Sequence, residues 1–320
     1  MRFGPIGDFL RWILDLIYSF VGNYGWSVLV FTLLIRLCLM PLDIRSKRSM
    51  KKMQAVQPKI DAIQKKYADD KERCNQKISA IYKEEKVSPL AGCLPVLIQI
   101  PILFAMFAVM REIADEETIN MILGIKEALE AGNTAYQPVL QRILWIKNVF
   151  QPDSFMSTVV PAAGDTLAAI TKATGDITTE MIDAAKAFLQ TDMYADWAAA
   201  YGNTTVYSAP LIVWTINIPQ NFNGLFILPI LSGVSQYFAS KILSAGQAAP
   251  SSEQQQSTNK FMQWFFPIFS LWICATSNAG FALYWVFINI IQVGQQWIIG
   301  KIIDKQDAAS AAAKIEEANK

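Results

Sequence analysis

The chain has 320 residues, 52% of them hydrophobic and 12% aromatic, and a formal net charge of +1. That balance excludes a basic nucleic-acid-binding domain, and the gathering of apolar residues into long blocks excludes an ordinary soluble one. There is no histidine, which removes histidine-based triads, general bases and zinc ligands. The four cysteines, Cys38, Cys74, Cys93 and Cys274, form no CxxC pair, so no disulfide framework, metal site or cofactor is indicated.

Residues 3–21 place Phe9, Leu10, Ile13, Leu14, Ile17 and Phe20 at helical spacing, with Arg2, Asp8, Arg11 and Asp15 on a wetter face. This predicts an amphipathic helix lying along a membrane surface, ended by Gly22 and Asn23. Asp8 and Asp15, and the lack of a small-residue cleavage site, argue against a cleavable signal peptide.

Residues 24–42, within YGWSVLVFTLLIRLCLMPLD, predict the first membrane span, since crossing a bilayer takes about 20 apolar residues. Pro41 and Asp43 are expected to end it. The charged segment 43–88 then carries Met50, Met53, Val56, Ile60, Ile63 and Tyr67, followed by Ile78, Ile81 and Tyr82, at intervals of three and four. A polar break at Ala68-Asp69-Asp70 between the two runs predicts an antiparallel helical hairpin.

Residues 90–110 form the second expected span. The long acidic region 112–221 predicts helices over 116–130, 136–145, 178–189 and 192–201, then an extended stretch from Thr204 to Ile218. Further spans are expected at 222–240, 261–276 and 280–299, with a cytoplasmic polar loop at 241–260 and a cytoplasmic tail at 301–320 that is polar and frayed from Ala308 onward. The fold class is thus an all-α polytopic membrane protein with five transmembrane helices. The basic hairpin 43–88 falls in the cytoplasm by the positive-inside bias, which sets the N-terminus outside and the C-terminus inside.

Arg36 lies within the first span, where insertion scales put the cost of a guanidinium at about 2.5 kcal/mol or more. The other four spans hold no carboxylate to neutralise it; they offer Gln99, Gln236, Gln263, Trp264, Asn289 and Gln292. A fixed cation among neutral amides suits a hydrated intramembrane concavity that receives an anion from elsewhere. Two plainer readings stand beside it. The arginine can snorkel towards headgroups, and the amides can simply join helices by hydrogen bonds. On the hairpin, Arg45, Lys47, Arg48, Lys51, Lys52, Lys59, Lys65 and Lys66 form a solvated face, or a dock for anionic lipid or ribosomal RNA.

The runs LVFTLLIRLCLMPLDIRSKRSMKKMQAVQPKI and YKEEKVSPLAGCLPVLIQIPILFAMFAVMRE resemble YidC-type membrane protein insertases, the YidC/Oxa/Alb family. LWIKNVFQPD, ILPILSGVSQYFASK, NKFMQWFFPIF and SNAGFALYWVFINIIQVGQQWII continue the likeness in order. The resemblance implies a hydrophilic groove in a bacterial plasma-membrane protein, with Arg36 in the place of the groove arginine and Gln99 on a lining position. It implies nascent membrane proteins as clients, not a catalysed reaction, and a hairpin that meets the ribosome or targeting machinery. Action only as a chaperone beside the general secretion channel is the alternative. A solute transporter fits less well, because internal repeats and acidic relays are missing. The chain resembles the short Gram-positive type, and residues 154–221 form an insertion with no counterpart in that pattern.

Overall fold

The computed structural model describes residues 4–85, 87, 94–170, 172–203, 206–211, 214–219, 222–245 and 253–318. Nine helices and one two-stranded hairpin are found among them, in the order α1 Gly4–Val21, α2 Tyr24–Lys66, α3 Lys71–Glu84, α4 Leu94–Glu130, α5 Thr179–Leu189, α6 Asp192–Asn203, β1 Val206–Leu211, β2 Trp214–Pro219, α7 Ile227–Ala245, α8 Glu253–Thr276 and α9 Ala279–Ala318. The expected starts of segments 3–21 and 90–110, and the centre of loop 241–260, lie outside the described residues. Helices α2, α4 and α9 are long and apolar enough to cross a membrane, and α7 carries a shorter apolar stretch, Ile227–Leu243. The chain is a multi-pass, helical membrane protein.

Several helices outrun their expected limits. Helix α2 continues through Pro41 and Pro58, so the first span and the first hairpin arm are one rod of 43 residues. A proline removes one ladder hydrogen bond, and neighbouring groups in a bundle can compensate the freed carbonyl. Helix α4 likewise joins the second span to the helix expected at 116–130, and Gly132 with φ +82° follows its end. Helix α9 keeps its course to Ala318, so the tail is helical where fraying was expected.

The chain divides into two compact units. Met1–Thr32, Leu103–Gly233 and Phe269–Phe287 make the first, and Leu33–Ile102, Val234–Ile268 and Ile288–Lys320 the second. In the first unit, α1 buries Leu10 and Leu14 and turns Phe9, Trp12 and Phe20 outward. Its charged face is engaged rather than wet. Arg11 donates to Glu116 through both terminal nitrogens, at 2.9 and 2.6 Å, and to Glu112 at 3.0 Å, which pins α1 to α4.

The insertion folds around the far half of α4. Ile119, Ile122, Ile125 and Leu129 pack with Phe188, Leu189, Tyr194 and Trp197 in one apolar core. Thr178 caps α5 by accepting from the Met181 N–H, and the Tyr194 hydroxyl donates to the Pro161 carbonyl at 2.6 Å. β1 and β2 pair antiparallel within the stretch expected to be extended. Residues 136–145, expected to be helical, instead run as irregular chain into a bridge between Ile143 and Ile146. Their apolar side chains find separate partners: Tyr136 packs on the insertion core, and Ile143 lies against Gly25.

Helix α7 begins at Ile227, five residues later than the expected Phe222, because the preceding residues are tied into a polar knot. Fully buried Asp153 accepts from the Trp145 indole at 3.1 Å and from the backbone N–H groups of Leu225 and Leu228 at 2.8 and 2.7 Å. Asn223 donates to the carbonyls of Asn148, Gln151 and Pro152. A side chain at Gly224 would collide with the Asp153 carboxylate, which explains a glycine there. The LWIKNVFQPD run thus closes this knot.

Two predictions follow from this unit. Arg11→Ala leaves Glu112 and Glu116 without their shared cation and costs about 2 kcal/mol, by the usual worth of charged hydrogen bonds. A lower thermal midpoint of the detergent-solubilised protein reports it, and Arg11→Lys recovers only part because the fork geometry is lost. Lys147, 3% exposed, has its pKa pulled down from 10.5 to about 8, by burial first and by nearby Arg142 second. Between those values the unfolded chain holds a proton that the folded chain has released. Stability therefore gains from this group as pH rises from about 8 towards 10.5, and its cost is constant below that window. The thermal midpoint of Lys147→Met, compared with the parent across that range, is expected to lack this component of the rise.

Candidate functional site

The second unit is built inside-out. Leu33, Leu37, Leu97, Phe238, Phe261 and Trp264 point outward, while Arg36, Asp43, Ser46, Asn289, Gln295 and Gln296 are buried. Such a distribution suits a lipid surround, where polar groups must be satisfied among themselves.

Arg36 is 5% exposed, so its guanidinium does not reach outward along the helix. Its Nη2 donates to Gln292 Oε1 at 2.9 Å and to the Ile288 carbonyl at 3.4 Å. The spacing of Ile288, Asn289, Gln292, Gln295 and Gln296 explains why one helix supplies so many partners, since steps of three and four return to one face of α9. Gln295 Nε2 donates to the Arg36 carbonyl at 3.4 Å, so the two helices are bonded in both directions.

The other expected residues lie around this pair. Asn289 Nδ2 donates to Ser235 Oγ at 3.3 Å, joining α9 to α7 beside half-buried Gln236. One residue further, the Tyr237 ring meets the Trp264 ring of α8 with centroids 5.6 Å apart. Trp264 is exposed and Gln263, its neighbour, half-buried. Gln99 is half-buried on α4. Polar and aromatic contacts therefore run from α2 through α9 and α7 to α8.

Three participants escaped the sequence reading. Gln295 and Gln296 extend the amide row of α9 one turn beyond Gln292. Asp43, taken from sequence as the end of the span, is buried on the continuing helix. It lies beside Gln295 of α9 and within electrostatic range of Arg36. The nearest carboxylate on Arg36's own helix lies seven residues along it, not in the other four spans. That i, i+7 spacing was the available signal.

The hairpin lies in the same unit. Val56, Ile60 and Val87 form its seam, with Met53, Ile78, Ile81 and Tyr82 packed against them, and Asp70 caps α3 through the Arg73 N–H. Among the expected basic residues, Arg45, Lys52 and Lys65 are exposed and Lys47 is half-buried. Lys51 bonds Asp304 and Asp307 of α9, at 2.9 and 2.5 Å, beside an Arg48–Gln306 contact. Lys59 pairs with Glu85, and the Lys66 ammonium lies 5.7 Å from the Tyr67 ring centroid.

Comparison with known proteins places this arrangement. The model of the 60Kd inner membrane protein family matches residues 16–306. A membrane protein insertase YidC of Azotobacter vinelandii is 26% identical over 294 residues, which cover 92% of this chain and 35% of that protein. Its counterpart in Chlorobaculum tepidum is 28% identical over 302 residues, 94% of this chain and 37% of the relative. In Thioalkalivibrio sulfidiphilus the identity is 41% over 137 residues, 43% of this chain and 25% of that protein. A crystal structure of an active YidC insertase with its first transmembrane domain resolved aligns over 92% of this chain and 46% of that one, at 17% identity and a TM-score of 0.42. The chain thus spans between a quarter and just over a third of the length of these sequence relatives. With the family pattern running over most of its own length, the chain belongs to the 60Kd inner membrane protein family.

Proposed function

We propose that this chain is the working core of a membrane protein insertase. The polar tail of a nascent membrane protein enters a hydrated groove lined by Arg36, Gln99, Gln236, Gln263, Trp264, Asn289 and Gln292. Its hydrophobic segment meanwhile moves along the outward-facing apolar side chains into lipid. The observation that carries this reading is the Arg36 guanidinium, buried at membrane depth and held by the neutral acceptors Gln292 and Ile288. Bonds to an amide and a carbonyl oxygen hold the arginine in place, and an incoming carboxylate can exchange for the nearby Asp43 carboxyl as its counter-charge. The relatives named as membrane protein insertases support the same assignment.

Insertion of this kind works by avoiding desolvation. Each unsatisfied polar group dragged through hydrocarbon costs several kcal/mol. Burial of the client's apolar span returns about 25 cal/mol per Å², which drives release without a nucleotide. The basic hairpin, cytoplasmic in this reading, meets the ribosome or targeting machinery and anionic headgroups through its exposed Arg45, Lys52 and Lys65. The orientation sets the N-terminus outside and the C-terminus inside.

Reconstitution in liposomes without the secretion channel tests the function. For a single-span client with an acidic tail, Arg36→Ala is expected to lower insertion about ten- to thirtyfold, the equivalent of one charged hydrogen bond. Arg36→Lys is expected to keep most of it. Equal insertion by the alanine variant contradicts the proposal. Insertion only when the channel is added reduces the protein to a channel-dependent chaperone.

A further inference from the structure

The groove arginine has a polar neighbourhood of the opposite kind. Gln295 donates an amide hydrogen to the Arg36 carbonyl at 3.4 Å and lies beside the buried Asp43 carboxyl, and its own oxygen, Oε1, is buried with no hydrogen-bond partner among the described residues. Gln296 Oε1, on the next residue, is in the same condition. Both residues are more than nine-tenths buried, as is Asp43. Buried acceptors left without a donor are costly and rare, so a cluster of them marks a place where a donor arrives.

We propose that Asp43, Gln295 and Gln296 form a second subsite that accepts a cationic or N–H-rich group of the client, next to the Arg36 position that accepts its carboxylate. This deepens the insertase reading and rests on it. The two poles belong to one helix face, seven residues and about 10 Å apart at the backbone. An extended chain advances about 3.3 Å per residue and turns alternate side chains to opposite faces. A client carrying an acidic and a basic side chain four positions apart, on one face and about 13 Å from each other at the backbone, therefore reaches both poles through its flexible side chains. A carboxylate alone meets Arg36 but leaves Asp43 facing it as a competitor. A paired acidic and basic tail replaces that competition with a second bond. The site then selects for charge arrangement as well as for charge sign.

The test uses the full chain in liposomes and a single-span reporter with two tails. One tail carries Glu-Ser-Ser-Ser-Lys or its reverse, and the other carries Glu with serine in place of lysine. The parent protein is expected to insert the paired tail several-fold better. Asp43→Asn and Gln295→Leu are each expected to lower insertion of the paired tail several-fold, and Asp43→Glu to keep it. An unchanged paired tail in both variants overturns the proposal, leaving the orphan acceptors to water. An equal fall of both tails in Asp43→Asn and Gln295→Leu alike overturns it too, because the carboxyl is then merely structural. Arg36→Ala serves as the separate arm. Undiminished insertion of the serine tail there removes the groove reading itself, whatever Asp43 does.

Discussion

The bond between Arg36 and Gln292 is the interaction on which the second unit depends. A guanidinium cannot stay at membrane depth without acceptors, and α9 supplies them from a face that repeats amides every three to four residues. Once that face is turned to α2, the remaining contacts follow. Gln295 reaches back to the Arg36 carbonyl beside buried Asp43, and Asn289 reaches Ser235 of α7. The exposed surface is correspondingly left to Leu33, Leu37 and Phe261, which lipid tolerates.

The first unit obeys the same rule in a different setting. Its polar groups are also satisfied within the fold, with Arg11 held by Glu112 and Glu116, Asp153 by an indole and two backbone donors, and three carbonyls by the Asn223 amide. These contacts fix the surface helix and the start of α7. The stretch 154–221 builds its own apolar core on α4, beside the knot at Asp153 and Asn223.

Periodicity and capping chemistry made much of this legible. The spacing of Leu10 and Leu14 located α1, the methionine, valine and isoleucine stripe located the hairpin seam, and Thr178 marked the first turn of α5. Pattern failed where tertiary contacts outweigh local preference. Residues 136–145 carry helical spacing, yet Tyr136 and Ile143 pack independently along an irregular chain. Pro41 reads as a stop, yet α2 passes it, since a proline's cost depends on neighbours that the sequence does not reveal. The candidate site was legible in part. Arg36 and Gln292 stand out as polar residues in apolar runs, whereas Asp43 looks like a boundary until the helix is seen to continue.

The central claim is that the Arg36 charge draws a client's acidic tail into the seam between α2 and α9. A photo-crosslinking residue at position 289, on the amide face of α9, tests it most directly with a ribosome-arrested single-span client. The account predicts a crosslink to the acidic tail that disappears when the tail is neutralised. A crosslink of equal strength to the neutral tail, or none to either while the client still inserts, would contradict it.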